Sequence, residues 1–501
     1  MKQLALSGVF LSLAILSACG GSTAIVPPPP PPPVNANVAV SATTVAPFDV
    51  AMSTSFQPAE WDFQFFQDFP NAKTPLTNLQ PQHIRLQGIS QGVPQGAAGT
   101  ASTAWDFNVL DAVTQPVLGV GDHSPEFQIA KAPPFMYVND DSGTSFSDLS
   151  FQQFSGYAKN LVQYYNTGGF TVNGSLLVSP AYPNDTITWW GIYNEPSINN
   201  NLNATEYTQM YNTLVPAMRS IDPSIKFVAL ELCCSSESWV QTFAAGLNPN
   251  VPVDVVAAHY YSSCNQRDTD AEVFATVPGF AASIQTIYGY MAANPSLATV
   301  PVWITENNVN ADFNKGGSIS ACNGTAFVTD KRGSSAFFAA WRPYVFSQVG
   351  QAGARALYHW DFDADAQFGE VDFSTGQTQL SYWVDYWIAR MFPAGSGQQS
   401  LQVTNSDDSD VEVLPVLNTD GSVVIMISNH AVASQSDNNG SGLTAKVSVD
   451  VSSLGSFTTG SEIIIDGNTN STSGPSSTSI SPQSPIIVNF GGYGVAFLTL
   501  Q

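Results

Sequence analysis

The chain has 501 residues and a formal charge of −24, from 15 Lys and Arg against 39 Asp and Glu. Only 11% of residues are charged while 44% are hydrophobic and 11% aromatic, so a large core is expected and wholesale disorder is excluded. The acidic balance gives no basic footprint for nucleic acid and works against strongly anionic ligands. Five cysteines in so long a chain do not make a small disulfide scaffold. Length alone suggests two to three domains, or one barrel-sized domain plus a smaller one.

Residues 1–19 predict an export signal: Lys2 supplies a positive start, and Leu4 to Ala18 an apolar run too short to span a bilayer. The run ends in Leu16-Ser17-Ala18-Cys19, which resembles the bacterial lipobox. That resemblance implies lipidation at Cys19 and a membrane anchor carrying more than one acyl chain. Gly20 follows instead of Asp, which by likeness to Gram-negative lipoproteins favours the outer membrane. Pro27 to Pro33 is an unbroken proline run, expected as a stiff polyproline II spacer within a linker over residues 20–45.

From residue 46 short apolar runs alternate with helical patterns. The predicted strands are Phe48–Met52, His83–Gln87, Val117–Gly121, Ile187–Tyr193, Lys226–Leu230, Val253–His259, Val302–Thr305 and Ala354–Trp360. Helical periodicity covers Ser150–Tyr165, Ala204–Ile221, Ser238–Gly246, Val273–Ala293 and Ser334–Gly350. Strands alternating with helices in this way predict an α/β fold, a (β/α)8 TIM barrel over residues 46–393. After Phe392 the helical period disappears and Gly, Ser, Thr and Asn rise. Short β runs at Val411–Val416, Ser422–Ser428, Ala445–Val451, Ser461–Ile465, Ile486–Asn489 and Gly494–Leu500 predict a C-terminal antiparallel β-sandwich over residues 394–501. Val38–Thr44 can lend it a strand, and its expected role is to brace the barrel.

Barrel enzymes carry their reacting groups at the C-terminal ends of strands, so the residues there are the ones to read. The fourth predicted strand leads into Trp189-Trp190-Gly191-Ile192-Tyr193-Asn194-Glu195-Pro196, and the seventh into Trp303-Ile304-Thr305-Glu306-Asn307. Each places a Glu on an aromatic or β-branched strand, where an unpaired charge is costly to bury. Two carboxyls facing one cleft are what glycosidic bond cleavage needs: one protonates the leaving oxygen, and the other attacks the anomeric carbon or activates water.

Asn194-Glu195-Pro196 on strand four with Thr305-Glu306 on strand seven resembles clan A of the retaining glycoside hydrolases. Within it the chain is most similar to glycoside hydrolase family 39. The carrying segments are His83 to Ile89, Trp190 to Ser197, Ile221-Asp222-Pro223, Val253 to Tyr260 and Pro301 to Asn307, in order along residues 46–393. Gln87 departs from the family, which has His there. The resemblance implies Glu195 as general acid/base and Glu306 as nucleophile. Arg85 and Tyr261 are candidate donors to the nucleophile, and Asn194 a candidate partner for the sugar 2-hydroxyl. Trp360, ending strand eight, matches the tryptophan that commonly floors the sugar site in the clan, whereas Trp190 is expected in the core.

His123, His259 and His359 fall at predicted ends of strands three, six and eight. His123 and His259 are taken as sugar contacts; without a His-Glu-x-x-His or similar spacing, no zinc or other metal and no cofactor is expected. Asp361-Phe362-Asp363-Ala364-Asp365 starts like a calcium loop, but Ala366 and Asp372 stand where Gly and Glu are needed. It reads as an acidic loop lining the cleft, with only a looser calcium site left open. Cys233, Cys234, Cys264 and Cys322 lie in predicted loops after strands five to seven. Export permits disulfides, and adjacent Cys233 and Cys234 make a strained ring, so two cross-loop bridges are expected, one joining Cys264 or Cys322 to the strand-five loop.

These readings converge on a retaining glycoside hydrolase acting on a plant or microbial oligo- or polysaccharide. Its partners are the carbohydrate substrate and the membrane, with no nucleic acid and no obligate protein partner. The competing expectations are an endo-acting glycanase of another clan A family and a non-catalytic surface glycan-binding lipoprotein.

Overall fold

The computed structural model describes residues 32–57, 64–87, 92–97, 100–119, 125–139, 145–199, 202–233 and 236–501. The lipobox with Cys19, together with His123 and Cys234, lies outside the described residues. No helix among the described residues is long and apolar enough to cross a membrane.

The first strand, β1 (Val34–Pro47), belongs to the C-terminal sheet. Eight parallel strands then close a barrel: β2 (Ala51–Phe56), β3 (Ile84–Leu86), β4 (Glu126–Ile129), β5 (Trp189–Ile192), β6 (Lys226–Leu232), β7 (Val255–Ser263), β8 (Val302–Asn310) and β9 (Ala354–His359). Each pairs with its sequence neighbour, and β9 closes on β2 through Ala356↔Ala51 to His359↔Thr54. The helices that return the chain between strands, or follow the last one, are α1 (Lys73–Leu79), α2 (Asn108–Gly119), α3 (Gln152–Asn166), α4 (Ala204–Arg219), α5 (Ser238–Gly246), α6 (Val277–Met291), α7 (Ala336–Gln351) and α8 (Leu380–Met391). Local chemistry fixes several starts. Asn203 caps α4 and is capped in return by Glu206, while Ser335 accepts from the Phe337 N–H at the start of α7.

Strand alternation sorts the side chains between barrel interior and helical shell. On β5, Trp190 and Ile192 pack outward into the main core, whereas Trp189 points inward. Inside, Trp189, Trp303 and Tyr358 join Val228, Val255, Ala257 and Ala356 in an apolar floor, with His83 stacked 4.6 Å from Trp303. Above that floor the inward positions turn polar: Arg85, Glu126, Gln128, Glu231 and Glu306 are all buried.

Two predicted elements differ. Val117–Gly121 is not strand three, because Val117 to Gly119 close α2, where Leu110, Val113 and Val117 repeat at helical spacing and are buried. The true third strand, β4, has polar inward residues Glu126 and Gln128, which erase the apolar signature of a barrel strand. The predicted helix Val273–Ala293 is two helices, Asp270–Ala275 and α6, separated at Thr276.

The C-terminal unit is one nine-stranded sheet: β10 (Gln399–Asn405), β11 (Val411–Leu417), β12 (Val423–Asn429), β13 (Ala445–Asp450), β14 (Gly460–Asp466), β15 (Ser477–Ile480), β16 (Ile486–Phe490), β17 (Gly494–Leu500) and the inserted β1. Its order is β15-β14-β17-β12-β11-β10-β1-β13-β16, antiparallel except for the β1–β13 pair. One apolar cluster draws on β13 and β16 at one end and β17 and β12 nearer the other, so the sheet folds over on itself as a sandwich. β10 and β15 were not predicted; their exposed Ser, Gln and Thr residues leave little apolar alternation.

β12 is buried on both faces. Val423, Ile425 and Ile427 fill the sandwich, while Val424 and Met426 belong to the barrel's core cluster. Helix α7 packs between sheet and barrel, which is why it is apolar nearly all round and buried along its length. Ile425→Ala and Met426→Ala are therefore each expected to cost about 2–5 kcal/mol. Urea denaturation followed by tryptophan fluorescence should show one shared transition displaced in both variants; a barrel signal untouched by Met426→Ala would show that the face is not shared.

Candidate active site

Arg85, central on the short strand β3, is wholly buried and forks between two acids. Its Nε and Nη2 donate to Glu231 Oε2 at 2.9 and 2.5 Å, and its Nη1 donates to Glu306 Oε1 at 3.0 Å and to Gln87 Oε1 at 3.2 Å. Nη2 also reaches Asn194 Oδ1 at 3.1 Å, an oxygen that accepts a second bond from Gln128 Nε2 at 2.8 Å. Burial alone would disfavour the charged guanidinium. Glu231, Glu306 and Glu126 outweigh that cost and hold the proton more firmly than usual.

Glu306 lies within β8, which runs on past the predicted end to Asn310; a register irregularity between Ile304 and Glu306 breaks the pairing with β7 there. The Tyr261 hydroxyl donates to Glu306 Oε2 at 2.8 Å. Burial pushes the Glu306 carboxyl up, and Glu195 adds to this; His259, Arg85 and Tyr261 pull it back, leaving a net rise. Glu195 follows the end of β5, its side chain 14% exposed against 4% for Glu306. Glu195 adopts φ of 44° and Tyr193 of 71°, left-handed values that cost non-glycine residues free energy and that cluster at functional sites.

His259 of β7 joins the two acids. Its Nδ1 lies 2.9 Å from Glu195 Oε1 and 3.4 Å from Glu306 Oε2, and its Nε2 is 3.8 Å from Glu231 Oε2. Burial opposes an imidazolium, but Glu306, Glu195 and Glu231 prevail and raise its pKa to about 9. An oxygen of Glu195, a nitrogen of His259 and an oxygen of Glu306 all lie within 4.8 Å of one another. Such a set can in principle hold an ion, although Nδ1 is already engaged by Glu195. A second close set, His359, Glu370 and Asp385, is fully buried, with Asp385 bound by Arg342 Nε at 2.9 Å and both nitrogens of His359 engaged by Asp385 and the Phe368 carbonyl.

Of the sequence candidates, Arg85, Asn194, Glu195, His259, Tyr261 and Glu306 thus meet in one contact network. Trp360 adjoins it, since its N–H donates to the Asn307 carbonyl at 3.1 Å and its ring lies 6.0 Å from that of Phe368. His123 precedes the true third strand in the chain instead of following it. Three members were not singled out from sequence: Glu126, Gln128 and Glu231. Glu231 sits at the C-terminal end of β6, a position where catalytic-face residues are sought, so that signal was present.

The disulfide expectation needs correction. Cys264 pairs with Cys322, tying the loop after β7 to the loop after β8, so neither reaches the strand-five loop. The physical reason is adjacency: β7 and β8 pair as far as Ser263↔Asn310, which brings the Cys264 and Cys322 Cα atoms to 5.8 Å. Cys233 is itself disulfide-bonded.

Both His259 and Glu126, whose carboxyl is pushed up to about 8 by burial and by Glu231, bind protons more tightly folded than unfolded. The stability each contributes is present in full below its unfolded pKa, about 6.5 for His and 4.5 for Glu, and fades as pH rises through the folded value. The urea midpoint should accordingly fall between pH 6.5 and 9, and His259→Gln should flatten that fall. A midpoint constant over this range would contradict the cluster's electrostatics.

Residues 176–344 match the family described as cellulase, glycosyl hydrolase family 5. A curated β-xylosidase of Geobacillus stearothermophilus is 32% identical over 81 residues, which is 15% of this chain and 16% of that protein. The fold is similar to that of the GH51 α-L-arabinofuranosidase of Thermotoga petrophila, with TM-score 0.63, 12% identity, and coverage of 93% of this chain and 100% of that one. It is also similar to a monomeric β-xylosidase of Caulobacter crescentus (TM-score 0.62, 14% identity, 93% and 99% covered). The catalytic domain of GH30 xylanase C from Talaromyces cellulolyticus is another such neighbour (TM-score 0.59, 16% identity, 93% and 99% covered). At these identities the structural likeness speaks for the fold, an eight-stranded parallel barrel that occurs in each of these glycoside hydrolases.

Proposed function

We propose that the chain is a retaining glycosidase, with Glu306 as nucleophile and Glu195 as general acid/base. The observation that carries this reading is the convergence of the two carboxyls on His259, within 4.8 Å of each other at their nearest. Retaining enzymes need their carboxyls about 5–5.5 Å apart, whereas inverting ones leave about 6.5–9.5 Å for a water. The environments also divide the labour. Glu306 is the buried partner and receives the Arg85 and Tyr261 donors, which suit an attacking carboxylate. Glu195 is the more exposed and meets the leaving group from the cleft side. In the first step Glu306 attacks the anomeric carbon while Glu195 protonates the departing oxygen; in the second, Glu195 takes a proton from the water that releases the sugar.

Trp360 is the candidate sugar platform, and Asn194 and His259 the candidate hydroxyl partners. Pentosides are the favoured substrate class, because the short curated match is to a β-xylosidase and the fold neighbours include xylosidases, arabinofuranosidases and a xylanase. Likeness to family 39 rests on the strand motifs and on a Caulobacter crescentus GH39 β-xylosidase among those neighbours. The cellulase-family match favours a second reading, endo action on a polysaccharide. A panel of aryl β-xylosides, aryl α-L-arabinofuranosides and soluble xylan and cellulose separates the two by product length.

Glu306→Gln should lower kcat by about 1000-fold or more, since loss of a nucleophile removes a full share of the barrier reduction. Glu195→Ala should be partly rescued by azide on activated substrates, and NMR of the first-formed product should show the starting anomer. Undiminished turnover in Glu306→Gln, or an inverted product, would refute the assignment.

We propose in addition that the enzyme is exported and anchored to the outer membrane through Cys19. The support is the Leu16-Ser17-Ala18-Cys19 motif, the following Gly20 and the proline run behind it. Cys19→Ala should abolish incorporation of labelled palmitate and move the protein from the membrane to the soluble fraction; unchanged fractionation would count against the anchor.

A further inference from the structure

Glu231 is held in the barrel by unusual means. Leu230 and Glu231 both adopt left-handed backbone, φ of 78° and 44°, and the pairing of β6 with β7 loses register between Ala229 and Leu232. Such backbone is strained for a non-glycine residue and persists only where its surroundings enforce it. Its effect is to aim a carboxylate into the axis beneath the two catalytic candidates. Space for that carboxylate depends on Gly191 of β5, where an added Cβ would stand 2.3 Å from Glu231 Oε1. The Glu231 carbonyl also accepts the Glu195 N–H at 3.2 Å.

We propose that Glu231 is a positioning residue for the glycosidase reaction, fixing the two cations, Arg85 and His259, that touch Glu306. The proposal rests on the reading of Glu306 as nucleophile. One oxygen of Glu231 collects Arg85 Nε and Nη2 and Gln128 Nε2, the last at 2.6 Å, which leaves Arg85 Nη1 to point at Glu306. The same oxygen faces His259 Nε2 at 3.8 Å, so a negative charge stands behind the ring while Nδ1 faces Glu195 and Glu306. Removing it would weaken the imidazolium and free the guanidinium fork to rotate.

The charged groups that act on His259 are Glu195 beyond β5, Glu231 on β6, Glu306 on β8 and Glu126 on β4. Burial and Glu231 push the Glu126 carboxyl up to about 8, against the pull of Arg85 and the Tyr358 hydroxyl.

The test is Glu231→Gln in the full chain, with Glu231→Asp as the conservative variant. Glu231→Gln should lower kcat about tenfold or more with a smaller change in KM, and move the alkaline limb of kcat/KM down by about one pH unit. Glu231→Asp, which keeps the charge, should restore the limb at least in part. The His259 imidazole, followed by NMR with His259→Gln for assignment, should titrate lower in Glu231→Gln than in the parent. An unshifted limb together with an unshifted His259 titration would overturn the proposal. Because the titration needs no substrate, it decides the point even if turnover of the parent, or its loss in Glu306→Gln, fails to support the glycosidase reading. Should Glu231→Gln not fold, Gly191→Ala, which crowds the same carboxylate, is expected to show the same two shifts, and unmoved values there would equally overturn the assignment.

Discussion

The site depends on one buried guanidinium. Arg85 is fully enclosed, and a charge taken out of water persists only when paired with good geometry and satisfied donors. Glu231 on β6 and Glu306 on β8, the two strands that flank β7, provide the pairing, and Gln87 and Asn194 take further N–H groups. Because Arg sets its five donors in a rigid plane, satisfying them on one side determines where the other side points. The bond to Glu306 is thereby tied to the identity of three other residues, Glu231, Gln87 and Asn194.

The surroundings enforce this arrangement. An apolar floor of Trp189, Trp303 and Tyr358 closes the barrel below, and His83 stacks into it. Outside, the nearly all-apolar α7 separates barrel from sheet, yet carries Arg342 inward to Asn307 and Asp385. The residue after Glu306 is thus gripped from the helical shell as well. On the cleft side, the Cys264–Cys322 bridge and the buried Arg332, bonded to Asp330 at 2.6 Å and to the Asp268 carbonyl at 2.8 Å, fasten the loops after β7 and β8. Rigid packing of this kind is what lets a catalytic constellation keep its geometry without ligand.

Legibility in the sequence followed burial pattern. The eightfold alternation was readable because most barrel strands here are apolar, and Glu195 and Glu306 were readable because each breaks an apolar or aromatic strand with a carboxylate. β4 was misplaced for the converse reason: Glu-Phe-Gln-Ile puts its polar residues toward the barrel axis, where the site needs them, so the strand most involved in the polar layer looks least like a strand. Glu231 was legible by its place directly after the predicted strand Lys226–Leu230, but nothing in sequence reveals that Leu230 and Glu231 turn left-handed and aim that carboxylate into the barrel. The cysteine pairing failed because loop neighbours around a barrel are set by strand adjacency, and the strained-ring argument for Cys233 and Cys234 says nothing about which loops touch.

The placement of β1 has a mechanical side. It lies between β10 and β13, hydrogen-bonded along both edges, before the chain enters the barrel at β2. A pull applied ahead of Val34 along the strand direction meets many bonds loaded together in shear, instead of one pair at a time as at a peeled edge. The sheet would then bear that load before it reaches the barrel.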